Sequence, residues 1–283
     1  MRNRIAGMFG TTPTVVKNLL IINVMVYIAY MIIGSRLDGK TLNDLFGLHY
    51  IGADNFKPIQ FLTYMFLHAN HTHIIFNMFG LWMFGRTLES VWGSKRFLIY
   101  YFVTGIGAAL IQMLALSFEL SPVLDAIDSF LANPDIVSLK EFLDSENFKI
   151  VSYDIQNNFE AFRRSYNNIY VSNPEEAMLL AEEFIAQYRV DFLNAQNMVG
   201  ASGAVFGILL GFGMLFPNTQ LYIIPLPFPI KAKWIVMAYG AFELYQAWMI
   251  QPGDHVAHVA HLGGMIFGFI LIKIWKKDRN KFF

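Results

Sequence analysis

Cysteine is absent from the 283-residue chain, and charge is scarce: Asp, Glu, Lys and Arg make up 15 % of it, against about 25 % in ordinary soluble domains. The first absence excludes a disulfide scaffold, a cysteine metal cluster and a cysteine nucleophile. The second excludes a charge-rich disordered chain and argues against a soluble enzyme, whose surface would be too apolar. Neither sign of charge is in excess, since 21 Lys+Arg face 21 Asp+Glu, so nothing in the balance points to nucleic acid. What fills the chain is apolar: 55 % of residues are hydrophobic and mean hydropathy is +0.42. The lipid bilayer is the partner that such a composition implies.

A membrane helix needs about 20 mostly apolar residues. Six stretches meet or approach that length: Val15–Gly34, Thr72–Trp92, Phe97–Phe118, Val199–Phe216, Trp234–Ile250 and Val256–Trp275. The first reads as a span and not as a cleavable signal, because its apolar run is too long and no A-x-A site follows. Gly, His, Asn and Ser interrupt several of the others. Polar groups are costly in hydrocarbon, so these residues are expected to face the bundle interior or a wet cavity.

Orientation follows from where Lys and Arg fall. With the N-terminus inside, 13 of the 21 collect on the cytoplasmic side: Arg2, Arg4, Lys17, Arg86, Lys95, Arg96, Lys231, Lys233, Lys273, Lys276, Lys277, Arg279 and Lys281. Arg36, Lys40 and Lys57 lie in the first external loop. The expectation is an all-α, six-span integral membrane protein with both termini cytoplasmic, in a bacterial inner membrane.

Residues 118–196 break the pattern, with 14 acidic and 5 basic residues for a net charge of −9. Three helix starts are visible. Ser121-Pro122 offers a cap and an N1 proline before Leu124, Ile127 and Leu131. Ser138-Leu139-Lys140-Glu141 has the spacing of a capping box. Asn173-Pro174 opens a long helix through Met178, Leu179, Phe184 and Tyr188. The chain therefore divides into 1–117 with spans one to three, an acidic helical insertion over 118–196 on the outer side, and 197–283 with spans four to six and a basic tail.

Chemistry gathers in few places. Six of the seven His form two clusters, His68/His71/His73 and His255/His258/His261. Metal binding is one reading of such clusters. No H-E-x-x-H is present, however, and no carboxylate stands beside either cluster at the spacing of a hydrolytic base, so no metal or other cofactor is expected. His49 reads as a loop residue. Gly200-Ala201-Ser202-Gly203 places a hydroxyl at the outer end of span four, where flanking glycines let backbone N–H groups and a substrate come close. Gly203, Gly207 and Gly211 continue a small-residue face, and Gly264 and Gly268 make another on span six, with His261 one turn earlier. Two such faces can bring His261 to Ser202, as a serine nucleophile requires of its base. His73 and Asn77 share a face of span two. They read either as donors to an oxyanion or as polar glue between helices.

Together these residues resemble the rhomboid intramembrane serine proteases. The resemblance runs through His68-x4-His73-x3-Asn77, Gly85-Arg86-x2-Glu89-x3-Gly93, Gly200-Ala201-Ser202-Gly203 and His261-x2-Gly264-x3-Gly268. It covers about residues 15–117 and 197–276. It implies Ser202 as nucleophile, His261 as general base in a dyad without an acidic third member, and an oxyanion hole of His73, Asn77 and the Ser202 N–H. It further implies packing roles for Gly200, Gly203, Phe206 and Gly264, and structural roles for His68 and Glu89. Substrates would be transmembrane proteins with helix-destabilising segments, entering laterally near spans two and five.

Two features depart from the family pattern. Phe206 stands where a Tyr often stacks on the catalytic imidazole. The 118–196 segment is far longer than the family's usual loop there, and either binds a substrate or regulator or is a tolerated expansion. Glu243 sits mid-span in helix five and is expected to pair within the bundle. His255 and His258 are expected to be solvated or loop-bonded, and His71 has no assigned role. Two rival classes are a silent client-binding relative and a divalent-metal transporter. The first is disfavoured by the presence of both Ser202 and His261, the second by His clusters at span ends. A soluble α/β-hydrolase is excluded, because position 204 is Ala and no βαβ pattern flanks Ser202.

Overall fold

The structure is a computed structural model that describes residues 12–34, 41–222, 227–249 and 257–277. His255, the loop basic residues Arg36 and Lys40, and the terminal Arg2, Arg4, Arg279 and Lys281 lie outside the described residues. In chain order the helices are α1 (Thr14–Ile33), α2 (Leu42–Phe46), α3 (Gln60–Thr63), α4 (His71–Gly80), α5 (Arg86–Trp92), α6 (Ser94–Ala132), α7 (Ile136–Asp144), α8 (Tyr153–Ile169), α9 (Pro174–Asn194), α10 (Ser202–Leu215), α11 (Ala232–Met249) and α12 (His258–Lys277). Among the described residues four two-residue strands accompany them: β1 (Leu48–His49), β2 (Asn197–Met198), β3 (Gln220–Leu221) and β4 (Ile230–Lys231). β3 and β4 pair antiparallel, with Gln220 opposite Lys231.

The chain forms two compact units. The first comprises residues 1–48, 58–112 and 198–283, and the second residues 49–57 and 113–197. Among the described residues three helices are long and apolar enough to cross a membrane: α1, α6 and α12. The other expected spans fall short for visible reasons. His71–Trp92 is helical throughout but passes through a π-helical stretch, Leu81–Gly85, between α4 and α5. α10 is apolar but has only 14 residues, and α11 carries Lys233 and the buried Glu243.

Glu89 ties the first unit together at the start of α1. The first N–H groups of a helix have no intrahelical acceptor. Here the Glu89 carboxylate accepts from Val15 N at 2.9 Å and Val16 N at 2.8 Å, and from Ser94 Oγ at 2.7 Å. A negative charge at a helix N-terminus also suits the macrodipole.

The second unit packs around its own apolar core. Val123, Ile127 and Phe130 of α6 meet Leu139 and Phe142 of α7, Ile155 and Phe162 of α8, and Phe184, Ile185 and Tyr188 of α9. The Phe162 and Phe184 rings stack at 4.4 Å. Burial raises the pKa of the Tyr188 hydroxyl, which accepts a hydrogen bond from Lys149 N at 2.8 Å.

Two local expectations need correction here. The helix does not restart at Ser121-Pro122: α6 runs through Pro122. An interior proline costs about 3 kcal/mol or more. Burying Leu120, Val123, Ile127 and Phe130 on one face offsets that, at about 1.5–3 kcal/mol each. Second, the capping box lies three residues earlier than expected, with Asp135 as N-cap accepting from Ser138 N at 2.8 Å and Ser138 as the reciprocal partner. α9, by contrast, starts where expected, with Asn173 capping and Pro174 at the first turn; Ala177, Ala181, Phe184 and Tyr188 face the core and Leu179 is exposed.

Candidate active site

Ser202 is the first residue of α10. Its N–H belongs to the first turn, where no carbonyl four residues back can serve it. The preceding Gly200 has φ of +130°, a backbone conformation that side chains disfavour. Its N–H donates to the Tyr64 carbonyl at 2.9 Å. A Cβ on Gly200 would come within 2.7 Å of His73 Nε2, so the missing side chain is what lets the His73 ring lie against the loop before the serine.

His261 reaches Ser202 from α12. Its Nε2 is 2.8 Å from Ser202 Oγ, and the residue is 7 % exposed. Glycine makes this approach possible: a Cβ on Gly264 would fall on the Gly203 carbonyl. A Cβ on Gly268 would likewise come within 3.4 Å of the Gly207 carbonyl, and the small residues also serve a second contact that was not expected. Gly203 and Gly207 face Ala108 and Thr104 of α6, and Gly268 faces the Tyr100 hydroxyl, which itself donates to the Gly207 carbonyl at 2.7 Å. α10 is thus clasped closely by α12 on one side and α6 on another. Phe206, one turn after Ser202, stacks flat on the His261 ring, with centroids 4.2 Å apart and planes 9° apart.

His73 and Asn77 lie one turn apart on α4, as their spacing predicts. Asn70 caps that helix by accepting from His73 N at 2.9 Å. Asn77 is buried, and its Nδ2 has no hydrogen-bond partner among the described residues. A buried amide donor without a partner is costly unless a ligand oxygen occupies the place it faces. His68 is buried with its ring edge-on to His73 at 5.1 Å. His71 Nδ1 is 3.0 Å from the Tyr27 hydroxyl, and His49 Nδ1 is 3.0 Å from the Asn194 carbonyl in the second unit.

Glu243 was expected to pair within the bundle, and it does so with partners that the sequence did not name. Glu243, on α11 and 4 % exposed, places Oε2 at 2.9 Å from His261 Nδ1 and 2.6 Å from His258 Nδ1. The expectation of a solvated or loop-bonded His258 is therefore corrected, and the second His cluster has a carboxylate beside it that spacing alone did not place there. Two signals were available: a carboxylate in an apolar helix, and His258 and His261 at i, i+3 on one face. Spacing within α12 could not say which residue of α11 faces them. Glu243, His258 and His261 each offer a ligand atom within 4.8 Å of the others, so these three side chains are also the residues that could hold a metal.

A model of the rhomboid domain matches residues 55–122 and 177–277. Those stretches include every residue of the candidate site. Rhomboid protease AarA of Providencia stuartii is 31 % identical over 109 residues, covering 36 % of this chain and 37 % of that protein. Rhomboid-like protease 3 of Toxoplasma gondii is 35 % identical over 78 residues, 27 % of this chain and 30 % of that protein. Putative rhomboid protease YdcA of Bacillus subtilis is 36 % identical over 56 residues, 20 % and 28 % of the two chains. The chain thus aligns with about a third or less of the length of these relatives.

Proposed function

Since the chain belongs to the rhomboid family, we propose that it is a serine-type intramembrane endopeptidase acting through Ser202 and His261. The observation that carries this reading is the 2.8 Å contact between Ser202 Oγ and His261 Nε2, at the distance a nucleophile and its base need. In the proposed reaction Oγ attacks a peptide carbonyl carbon while its proton passes to Nε2. The tetrahedral intermediate collapses as the C–N bond breaks, and Nε2 returns the proton to the leaving amine. Water then attacks the acyl ester, giving its proton to Nε2, and the serine is released with that proton restored. The developing oxyanion is held by the Ser202 N–H, the unpartnered Asn77 amide and His73.

The proposed setting is a six-span core with both termini cytoplasmic in a bacterial inner membrane. In it, residues 118–196 form an extracytoplasmic insertion between spans three and four. The rhomboid-domain match omits residues 123–176, which supports reading that segment as an addition. A 14-residue α10 is about 21 Å long, short of the roughly 30 Å hydrocarbon core. Ser202 at its start then lies below the lipid surface, where hydrolysis requires that water reach it. Substrates are transmembrane proteins, and their helices must open locally before a carbonyl is free to react. Segments with small or helix-breaking residues suit this best. The insertion is proposed to bind either substrate or a regulator.

Cleavage of a reporter transmembrane segment containing Gly or Pro, by the purified protein in liposomes, tests the reading. Ser202→Ala and His261→Ala are each expected to abolish the product. Undiminished cleavage by either variant contradicts the assignment.

A further inference from the structure

We propose that Glu243 is a positioning residue for His261, so that the working unit is Ser202–His261–Glu243 braced by His258, not a dyad. The inference rests on the protease reading above and adds a residue that the motif resemblance leaves without a role. An ionised carboxylate only accepts hydrogen bonds. The 2.9 Å contact from His261 Nδ1 to Glu243 Oε2 therefore puts the single proton of a neutral imidazole on Nδ1. Nε2 is left with its lone pair facing Ser202 Oγ at 2.8 Å, which is the tautomer a general base must have. When Nε2 takes the serine proton, the ring becomes cationic with the carboxylate already against its other nitrogen. That is the role a buried carboxylate plays in serine hydrolase triads on other folds.

Two further contacts fix the geometry. His258 Nδ1 donates to the same Oε2 at 2.6 Å, holding the carboxylate from a second side and supplying a second donor to a charge that is 4 % exposed. Phe206 covers one face of the His261 ring, so the imidazole is held by edge and by face. A resident metal is the rival use of these three side chains. Donor atoms around a tetrahedral zinc stand about 3.3 Å apart, given bonds of about 2.0–2.1 Å. Both contacts to Oε2 are shorter than that, at 2.6 and 2.9 Å, as hydrogen bonds to a carboxylate tend to be.

The test uses the full chain in nanodiscs and a cleavable transmembrane reporter. Glu243→Gln is expected to lower kcat by about 100-fold or more with KM within about twofold. Glu243→Asp, which keeps the charge, is expected to retain more activity than Glu243→Gln. A folded Glu243→Gln protein whose kcat stays within about threefold, or whose loss lies wholly in KM, overturns the proposal. If Glu243→Gln does not fold, histidine 15N spectra of the unsubstituted protein decide: Nδ1–H on His261 supports the proposal, and Nε2–H overturns it. Ser202→Ala run in parallel separates the two claims, because cleavage that survives it defeats the protease reading whatever Glu243 does.

Discussion

A methyl group added at Gly264 would land on the Gly203 carbonyl, on the seam that brings His261 to Ser202. Overpacking of this kind costs about 1–3 kcal/mol, and any relief must move α12 away from α10. Gly264→Ala is therefore expected to lower the melting temperature and to cut kcat by more than tenfold, roughly the effect of a small displacement of reacting groups; a variant with unchanged kcat would contradict that role. Asn77→Ala is expected to lose about 10²–10³ in kcat, as for other oxyanion donors, with little change in melting temperature because its Nδ2 has no hydrogen-bond partner to lose. Parity with the unsubstituted enzyme in steady-state kinetics would return Asn77 to the glue reading. Ser202, His261, His73 and Asn77 were legible because each belongs to a local spacing that helix geometry turns into a shared face. The partners of Glu243 were not, because they lie 15 and 18 residues away on another helix, and the rotation of α11 against α12 is a packing outcome.

Helix starts and stops show the same division between local chemistry and tertiary burial. The Asn173 cap and Pro174 were readable because they act within one turn. Asn173→Ala is expected to cost about 1 kcal/mol in denaturant unfolding, and a variant as stable as the parent would dismiss the cap. Pro122 misled because the apolar face it interrupts is buried by three later helices, which no window of sequence displays. The capping box was displaced because Asp135 and Ser138 each have side chains suited to the cap, and only backbone geometry chooses. The choice has an acid signature. The Ser138 N–H donating to the Asp135 carboxylate, together with further hydrogen bonds, holds that carboxyl below the usual Asp range. A group with a lowered folded pKa contributes fully above its unfolded value and loses that contribution as pH falls through the folded one. Asp135→Asn keeps a capping oxygen without a titrating charge, so its melting temperature is expected to fall less than the parent's between neutral buffer and about pH 3. An equal fall in both would exclude the cap as a source of acid sensitivity.

At the scale of the whole molecule, a net charge of zero combines −9 in residues 118–196 with +9 elsewhere. The positive-inside rule counts Lys and Arg alone, and the sidedness proposed from their distribution is directly measurable because the chain has no cysteine. Ser165→Cys, at an exposed position of α8, is expected to react with an impermeant maleimide on intact cells. Lys95→Cys, exposed at the start of α6, is expected to react only after permeabilisation. The reverse pattern would invert the proposed topology. The apolar composition made a polytopic helical chain legible, and the charge map singled out the segment that the fold gathers into a second unit. The central claim is that Ser202 is activated by His261, and a fluorophosphonate probe applied to the purified, membrane-reconstituted protein addresses it most directly. The account predicts covalent labelling that disappears in folded Ser202→Ala and falls sharply in His261→Ala. Labelling that persists in folded Ser202→Ala would contradict it.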